Sequence, residues 1–305
     1  MNSKVLLICL AAAVGLLAGA ESKSDEPGKD ATASKTGTSD KFIGKEAGQV
    51  RNDNDLKMKL VWCPPGEFVM GTPKSEKQRR KDEDQVGVTL TTGFWLGKYE
   101  VTQSEWKQVM KTEPWTGRAL SKEGADYPAT LVSWDDATEF CRKLTVRERQ
   151  AGRLPDEWEY ALPMEAQWEY ACRARSKTRF SFGDDASKLG EYAWFFKNTW
   201  NAGEKYPHLV GQKKPNPWGL CDMHGNVWEW CRDVYFWKLP GGRDPEVKVN
   251  PDEKSKVPAR RVIRGGWWLC QAELCRSGDR TADHQNIQLD EYGFRVALGA
   301  FQPVK

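Results

Sequence analysis

The sequence predicts an α+β domain with little regular secondary structure, and three observations carry that expectation. The 305 residues include 15 Trp, 11 Phe and 8 Tyr, so much of the core must be built from rings that each bury a large area. Glycine and proline, 27 and 16 residues, punctuate the chain too often for a helical bundle. Three short helical periodicities stand among several strand-like runs joined by long irregular connections, which is the pattern of an α+β domain.

Residues 1–20 read as a secretory signal: Lys4, an apolar run from Val5 to Leu17, then Ala18-Gly19-Ala20 as a cleavage site. The run is too short to span a bilayer comfortably. Residues 21–55 are rich in Ser, Lys, Asp, Thr and Gly, cannot bury enough surface to offset the entropy of ordering, and are read as a flexible polar spacer. The domain is assigned to residues 56–305. Within it, Leu60-Val61-Trp62 and the run Gly66 to Gly71 predict two strands around a Pro64-Pro65-Gly66 turn. Phe94 to Val101 alternates as a half-buried strand. Thr102 caps a first helix with Glu105 three residues on and Trp106, Val109 and Met110 at helical spacing. Ser133 repeats that logic before Asp136, Ala137, Phe140, Cys141 and Leu144. A third helix runs from Pro163 to Cys172, with proline at its start. Residues 261–266 and 292–297 close the chain as strands.

The charge balance, 46 basic against 43 acidic side chains, offers no footprint for nucleic acid. His208, His224 and His284 are far apart in the chain, and no H-x-H or H-E-x-x-H spacing occurs. His224 is read as a structural hydrogen-bonder. Gly241-Gly242 and Gly265-Gly266 lack the lysine or following helix of a phosphate loop. The pair Asp135-Asp136 opens a helix, where the macrodipole accounts for it.

A series of segments then occurs in a fixed order: Val101-Thr102-Gln103-Ser104-Glu105-Trp106, the run Pro128 to Ala137, the run Leu162 to Ala171, Asn216-Pro217-Trp218-Gly219-Leu220, Gly225-Asn226-Val227-Trp228-Glu229-Trp230, Arg264-Gly265-Gly266 and Gly293-Phe294-Arg295. From Lys59 to Leu298 the chain resembles the formylglycine-generating enzyme family, the sulfatase-modifying factors. The resemblance implies a C-type-lectin-like α+β fold. Catalytic members oxidise a cysteine of an unfolded sulfatase to Cα-formylglycine with molecular oxygen and a Cu(I) ion held by two cysteine thiolates. The family's pair follows the Arg-Gly-Gly strand, five positions apart, and Cys270 and Cys275 fill both positions here. Soft thiolates select Cu(I) and leave room for a substrate thiol. An extended segment would hold residues 270 and 275 about 16 Å apart, so the chain must bend between them.

Departures from the catalytic pattern accompany the pair: Trp267 where serine is usual, Gln271 where histidine is common and Leu274 where tyrosine is common. Trp228 matches an active-site tryptophan, with core packing as its alternative role. Cys63, Cys141, Cys172, Cys221 and Cys231 complete the mature set. Pairings of Cys275 with Cys231, Cys141 with Cys172, or Cys221 with Cys231 stay open, and an odd total leaves at least one thiol unpaired.

The segment Leu220 to Glu229 resembles the family's structural calcium loop. Its ligands would be the Asp222 and Glu229 carboxylates and the Gly225 and Val227 carbonyls, hard oxygens of the kind Ca²⁺ takes. Alternatively, the two carboxylates accept backbone N–H groups of the loop. The expectation is an exported, monomeric, copper-dependent oxidase acting on a sulfatase precursor with a C-x-P-x-R motif, free of nucleic acid and membrane after signal cleavage. The rival is a secreted, non-catalytic binding module on the same scaffold.

Overall fold

Three sheets and three main helices form the fold in the computed structural model, which describes residues 40–249 and 260–300. The five-stranded sheet has the order β1 (Val50–Arg51), β2 (Leu60–Cys63), β5 (Phe94–Gly97), β12 (Ala297–Gly299) and β6 (Glu159–Ala161). Its strands β2 and β5 are buried at every position, although Phe94 to Val101 reads as half-buried. The reason is that both faces are covered. Leu60, Trp62 and Trp95 point into one apolar cluster, and Val61, Cys63, Phe94 and Leu96 into a second one on the opposite face.

The Pro64-Pro65-Gly66 turn joins two sheets instead of closing a hairpin. Strand β3 (Gly66–Met70) pairs with β4 (Val86–Leu90), which pairs in turn with β8 (Gly242–Arg243). A four-stranded sheet holds β10 (Arg280–His284), β9 (Arg260–Arg264), β7 (Trp228–Val234) and β11 (Tyr292–Gly293). The run 292–297 is therefore divided between β11 and β12, which belong to different sheets.

Helix α1 (Gln103–Met110) starts on a full capping box: Glu105 N–H donates to Thr102 Oγ1 at 3.3 Å and Thr102 N–H to Glu105 Oε2 at 2.8 Å. Ser133 and Asp136 cap α2 (Trp134–Gln150) in the same way. Phe140 of α2 stacks on Trp106 of α1, centroids 5.8 Å apart, and meets Phe294 edge-on at 5.4 Å. Helix α3 (Glu165–Arg173) begins later than the proline predicts, with Met164 as its cap residue. All nine of its residues are buried, so its carboxylates need partners. Glu165 pairs with Arg280 at 2.6 Å and Arg264 at 3.2 Å, and Glu169 with Arg264 and, at 2.8 Å, with Arg173.

Residues 40–55 belong to the folded domain, which corrects the spacer boundary. Strand β1 pairs with β2, and Trp95 Nε1 donates to the Phe42 carbonyl at 2.6 Å. The Arg51 guanidinium sits 4.2 Å from the Phe42 ring centroid. One ring and one cation supply the anchorage, too sparse a signal for composition to reveal. The proposed signal and the first part of the spacer lie outside the described residues.

Candidate functional site

Strand β9 ends at Arg264, a fully buried arginine held by Glu165 and Glu169 of α3. Gly265 and Gly266 follow with φ of 102° and 81°, and a Cβ on Gly266 would lie 2.9 Å from Cys275 Sγ. The Arg-Gly-Gly segment thus turns the chain through a left-handed conformation and clears the space that Cys275 occupies. The bend required between the two cysteines is present. Ala272–Cys275 is a 3₁₀ turn, Cys270 N–H donates to the Trp267 carbonyl at 2.8 Å, and Cys275 Sγ lies 3.7 Å from the Gln271 carbonyl.

Both thiols are buried and free, as are Cys63, Cys141, Cys172, Cys221 and Cys231. None of the three disulfide alternatives forms. Burial, foremost, pushes the Cys270 thiol above its ordinary range. Burial also raises Cys275, and the neighbouring Cys270 adds to the effect. Two soft donors free of covalent partners suit a Cu(I) ion by their chemistry, with the condition that the metal must displace both protons. Trp228 is buried and shares the apolar cluster that contains Cys270 and Cys275, with Trp267, Ala272 and Leu274 packed against it. Trp267 meets Trp268 edge-on at 5.0 Å, and Trp268 stacks at 6.3 Å on the partly exposed Trp200. An indole layer therefore stands where catalytic members carry a serine.

His224 connects this pair to the 220s loop. Its Nε2 accepts the Ser181 N–H at 3.1 Å, which leaves Nδ1–H to donate to the Cys275 carbonyl at 2.9 Å. Burial lowers its pKa to about 4, so the ring is neutral and structural. Asn226, in the left-handed region at φ 70°, accepts the His208 N–H at 2.8 Å, donates to Glu100 Oε1 at 3.1 Å, and receives the Trp268 N–H on its carbonyl at 2.9 Å.

The calcium ligand set is only partly open. Glu229 is bonded through both carboxylate oxygens, to Arg295 Nε and Nη2 at 2.6 Å each and to Trp168 Nε1 at 2.8 Å. The structure makes it the counter-ion of a fully buried arginine, and it does not fit as a free metal ligand. Asp222 does: Oδ2 accepts the Gly211 N–H at 2.6 Å, while Oδ1 is buried without a partner. Glu100 was missed by sequence reasoning. Its Oε2 is likewise buried and unpartnered, and burial and then Asp222 push its pKa well up. Burial raises Asp222 to about 6. The signal available for Glu100 was a lone acid at the end of an apolar run, which does not disclose a partner 122 positions away. No group of three or more His, Cys, Asp and Glu side chains with metal-site geometry occurs among the described residues.

Residues 46–300 match the family model described as the Sulfatase-modifying factor enzyme 1-like domain. The chaperone protein LppX of Paenibacillus barcinonensis is 30% identical over 240 residues, which cover 65% of this chain and 76% of that protein. A formylglycine-generating enzyme of Streptomyces coelicolor is 29% identical over 235 residues, covering 72% of this chain and 65% of the enzyme. Among solved structures, PvdO from Pseudomonas aeruginosa superposes with a TM-score of 0.70 at 29% identity, covering 84% of this chain and 99% of PvdO. The three-sheet, ring-filled architecture is the C-type-lectin-like α+β fold. With a model match that spans most of its length, the chain belongs to the sulfatase-modifying factor enzyme 1-like domain family.

Proposed function

We propose that this protein is an exported, monomeric oxidase that converts a cysteine in a C-x-P-x-R segment of a sulfatase precursor to Cα-formylglycine, with Cys270 and Cys275 holding Cu(I). The observation that supports the reading is that both thiols are buried and unbridged, with a 3₁₀ turn bending the chain between them after Gly265-Gly266. Cu(I), when bound, would supply a centre for the substrate thiol and for oxygen. The chain's own contribution is positional. His224 fixes the carbonyl of Cys275, and Trp228 supplies a rigid apolar wall. Export rests on the apolar leader and Ala18-Gly19-Ala20. A structural Ca²⁺ would be held by Asp222 Oδ1 with the Gly225 and Val227 carbonyls, without Glu229.

The test is mass spectrometry of a C-x-P-x-R peptide incubated with protein, Cu(I), oxygen and a thiol reductant. Loss of the cysteine and gain of the aldehyde, abolished in Cys270→Ser and in Cys275→Ser, is the expected result. An unchanged peptide together with no stoichiometric Cu(I) binding overturns the reading.

A second reading, a secreted binding module without chemistry, draws on the indole layer of Trp267 and Trp268 beside Cys270 and on the burial that keeps both thiols protonated. A relative named as a chaperone at comparable identity is in keeping with it. Indifference of Cu(I) binding to Cys270→Ser supports this alternative.

A further inference from the structure

Away from the thiol pair, β3 ends the three-stranded sheet and its outer edge borders a cavity of about 480 Å³. Residues 65–69 form one wall, and Tyr170, Arg175 and Lys177, at and just past the end of α3, form the other. The direction of the free main-chain groups follows from the pairing register. Asp244 N–H donates to the Thr89 carbonyl at 2.8 Å, so Thr89 faces β8. Its partners across the ladder are Glu67 for Thr89 and Val69 for Gly87. Groups on an antiparallel strand alternate sides with a period of two. Glu67 and Val69 therefore turn their N–H and C=O groups outward, toward the cavity edge, and no other partner meets them among the described residues.

The chemistry of the opposite wall is cationic. Arg175 and Lys177 are exposed, and neither forms an ion pair among the described residues. Arg173, which also lines the cavity, is already committed to Glu169, Gly71 O and Thr178 O. Glu67 is the opposing charge on the β3 side, where its carboxylate accepts the Thr89 hydroxyl at 3.3 Å. Arg175 is held at φ 74° directly after Ala174 at φ 45°, two consecutive left-handed residues without a glycine. The exposed Val69 side chain and the Phe68 and Tyr170 rings, centroids 5.2 Å apart, add apolar surface along the strand.

We propose that this edge binds an extended, acidic segment of a partner protein, which adds as a strand beside β3 and sets its carboxylates against Arg175 and Lys177. Main-chain pairing at Glu67 and Val69 supplies register, and the two cations select the sequence. The inference does not rest on the oxidase reading, because no residue of the thiol pair or its surroundings takes part.

Fluorescence polarisation with a labelled peptide of alternating threonine and glutamate tests it on the whole protein. The expected result is saturable binding that added salt weakens, that a threonine–lysine peptide fails to reproduce, and that the double change Arg175→Glu with Lys177→Glu weakens about tenfold or more. Backbone pairing is tested separately. Val69→Pro removes an outward N–H at a position where an edge strand tolerates proline, and a peptide N-methylated at alternate residues keeps its charge but loses its donors. Both abolish binding in the proposal, with circular dichroism showing the fold retained. Equal binding of the lysine peptide, or undiminished binding of the N-methylated one, overturns it. Concentration-dependent dimers dissolved by Val69→Pro also overturn it, because a second copy would then own the edge.

Discussion

Cys270 lies in an apolar cluster against which Trp267 packs, and burial raises its thiol above the ordinary range. Its thiol is buried, and Trp267 both accepts its backbone N–H and packs against the same apolar cluster. Trp267→Ser removes a half-buried ring at that point and is expected to speed iodoacetamide alkylation of Cys270 by roughly tenfold, read by mass spectrometry, since access and thiolate content set the rate. An unchanged rate would show that Trp267 does not cover the thiol. Glu229 and Arg295 carry the opposite lesson, that a buried charge with its partner removed is costly. Glu229→Gln removes the carboxylate that ion-pairs with the fully buried Arg295 and is expected to lower stability by about 3 kcal/mol or more in chemical denaturation. Asp222 differs because one of its oxygens has no partner to lose. Millimolar calcium is expected to raise the melting temperature of the native protein and to leave Asp222→Asn unmoved. Equal responses of the two proteins would remove Asp222 from the ligand set.

At the scale of elements, the capping box of α1 carries a pH signature. Burial lifts Glu105 from a carboxylate's ordinary value near 4.5 to about 7. Because its folded pKa lies above the unfolded one, its favourable contribution is complete below about pH 4.5 and is lost as pH rises toward 7. Glu105→Gln keeps an acceptor for the Thr102 N–H without the charge. The melting-temperature difference between this variant and the native protein is therefore expected to shift in the variant's favour between pH 5 and pH 8, by the equivalent of about 1–3 kcal/mol. A difference that stays level with pH would show that Glu105 titrates normally. Capping logic was legible because it is local: Thr102 and Ser133 announce their helices within four residues. The start of α3 was less so, since Pro163 lies two residues before the first helical position and Met164 caps through its backbone, with Gln167 Oε1 accepting its N–H at 3.0 Å.

The whole molecule is held by long-range pairs that no local window contains. Arg276 joins Glu83 at 2.8 Å and Glu76 at 2.9 Å, and Arg280 joins Glu165 at 2.6 Å, binding the segment after the 3₁₀ turn to distant parts of the chain. The stretch 40–55 is joined to the core by Phe42, Arg51 and β1 in the same long-range manner. A chain beginning at residue 56 is expected to melt roughly 5–10 °C below one beginning at residue 40, as loss of an edge strand and one ring costs about 2–3 kcal/mol. Coincident melting curves would return the segment to spacer status.

Sequence alone determined the family, the α+β class, two of the three helix starts and the candidacy of Cys270 and Cys275, because periodicity, capping and ordered motifs are written in neighbouring residues. Tertiary structure decided which strands share a sheet, that no cysteine among the described residues pairs with another, that Glu229 serves Arg295, and that Glu100 stands beside Asp222. Those outcomes depend on burial and on partners brought together from far along the chain, and in a low-dielectric interior the nearest charge or thiol sets a group's chemistry whatever its position in the sequence.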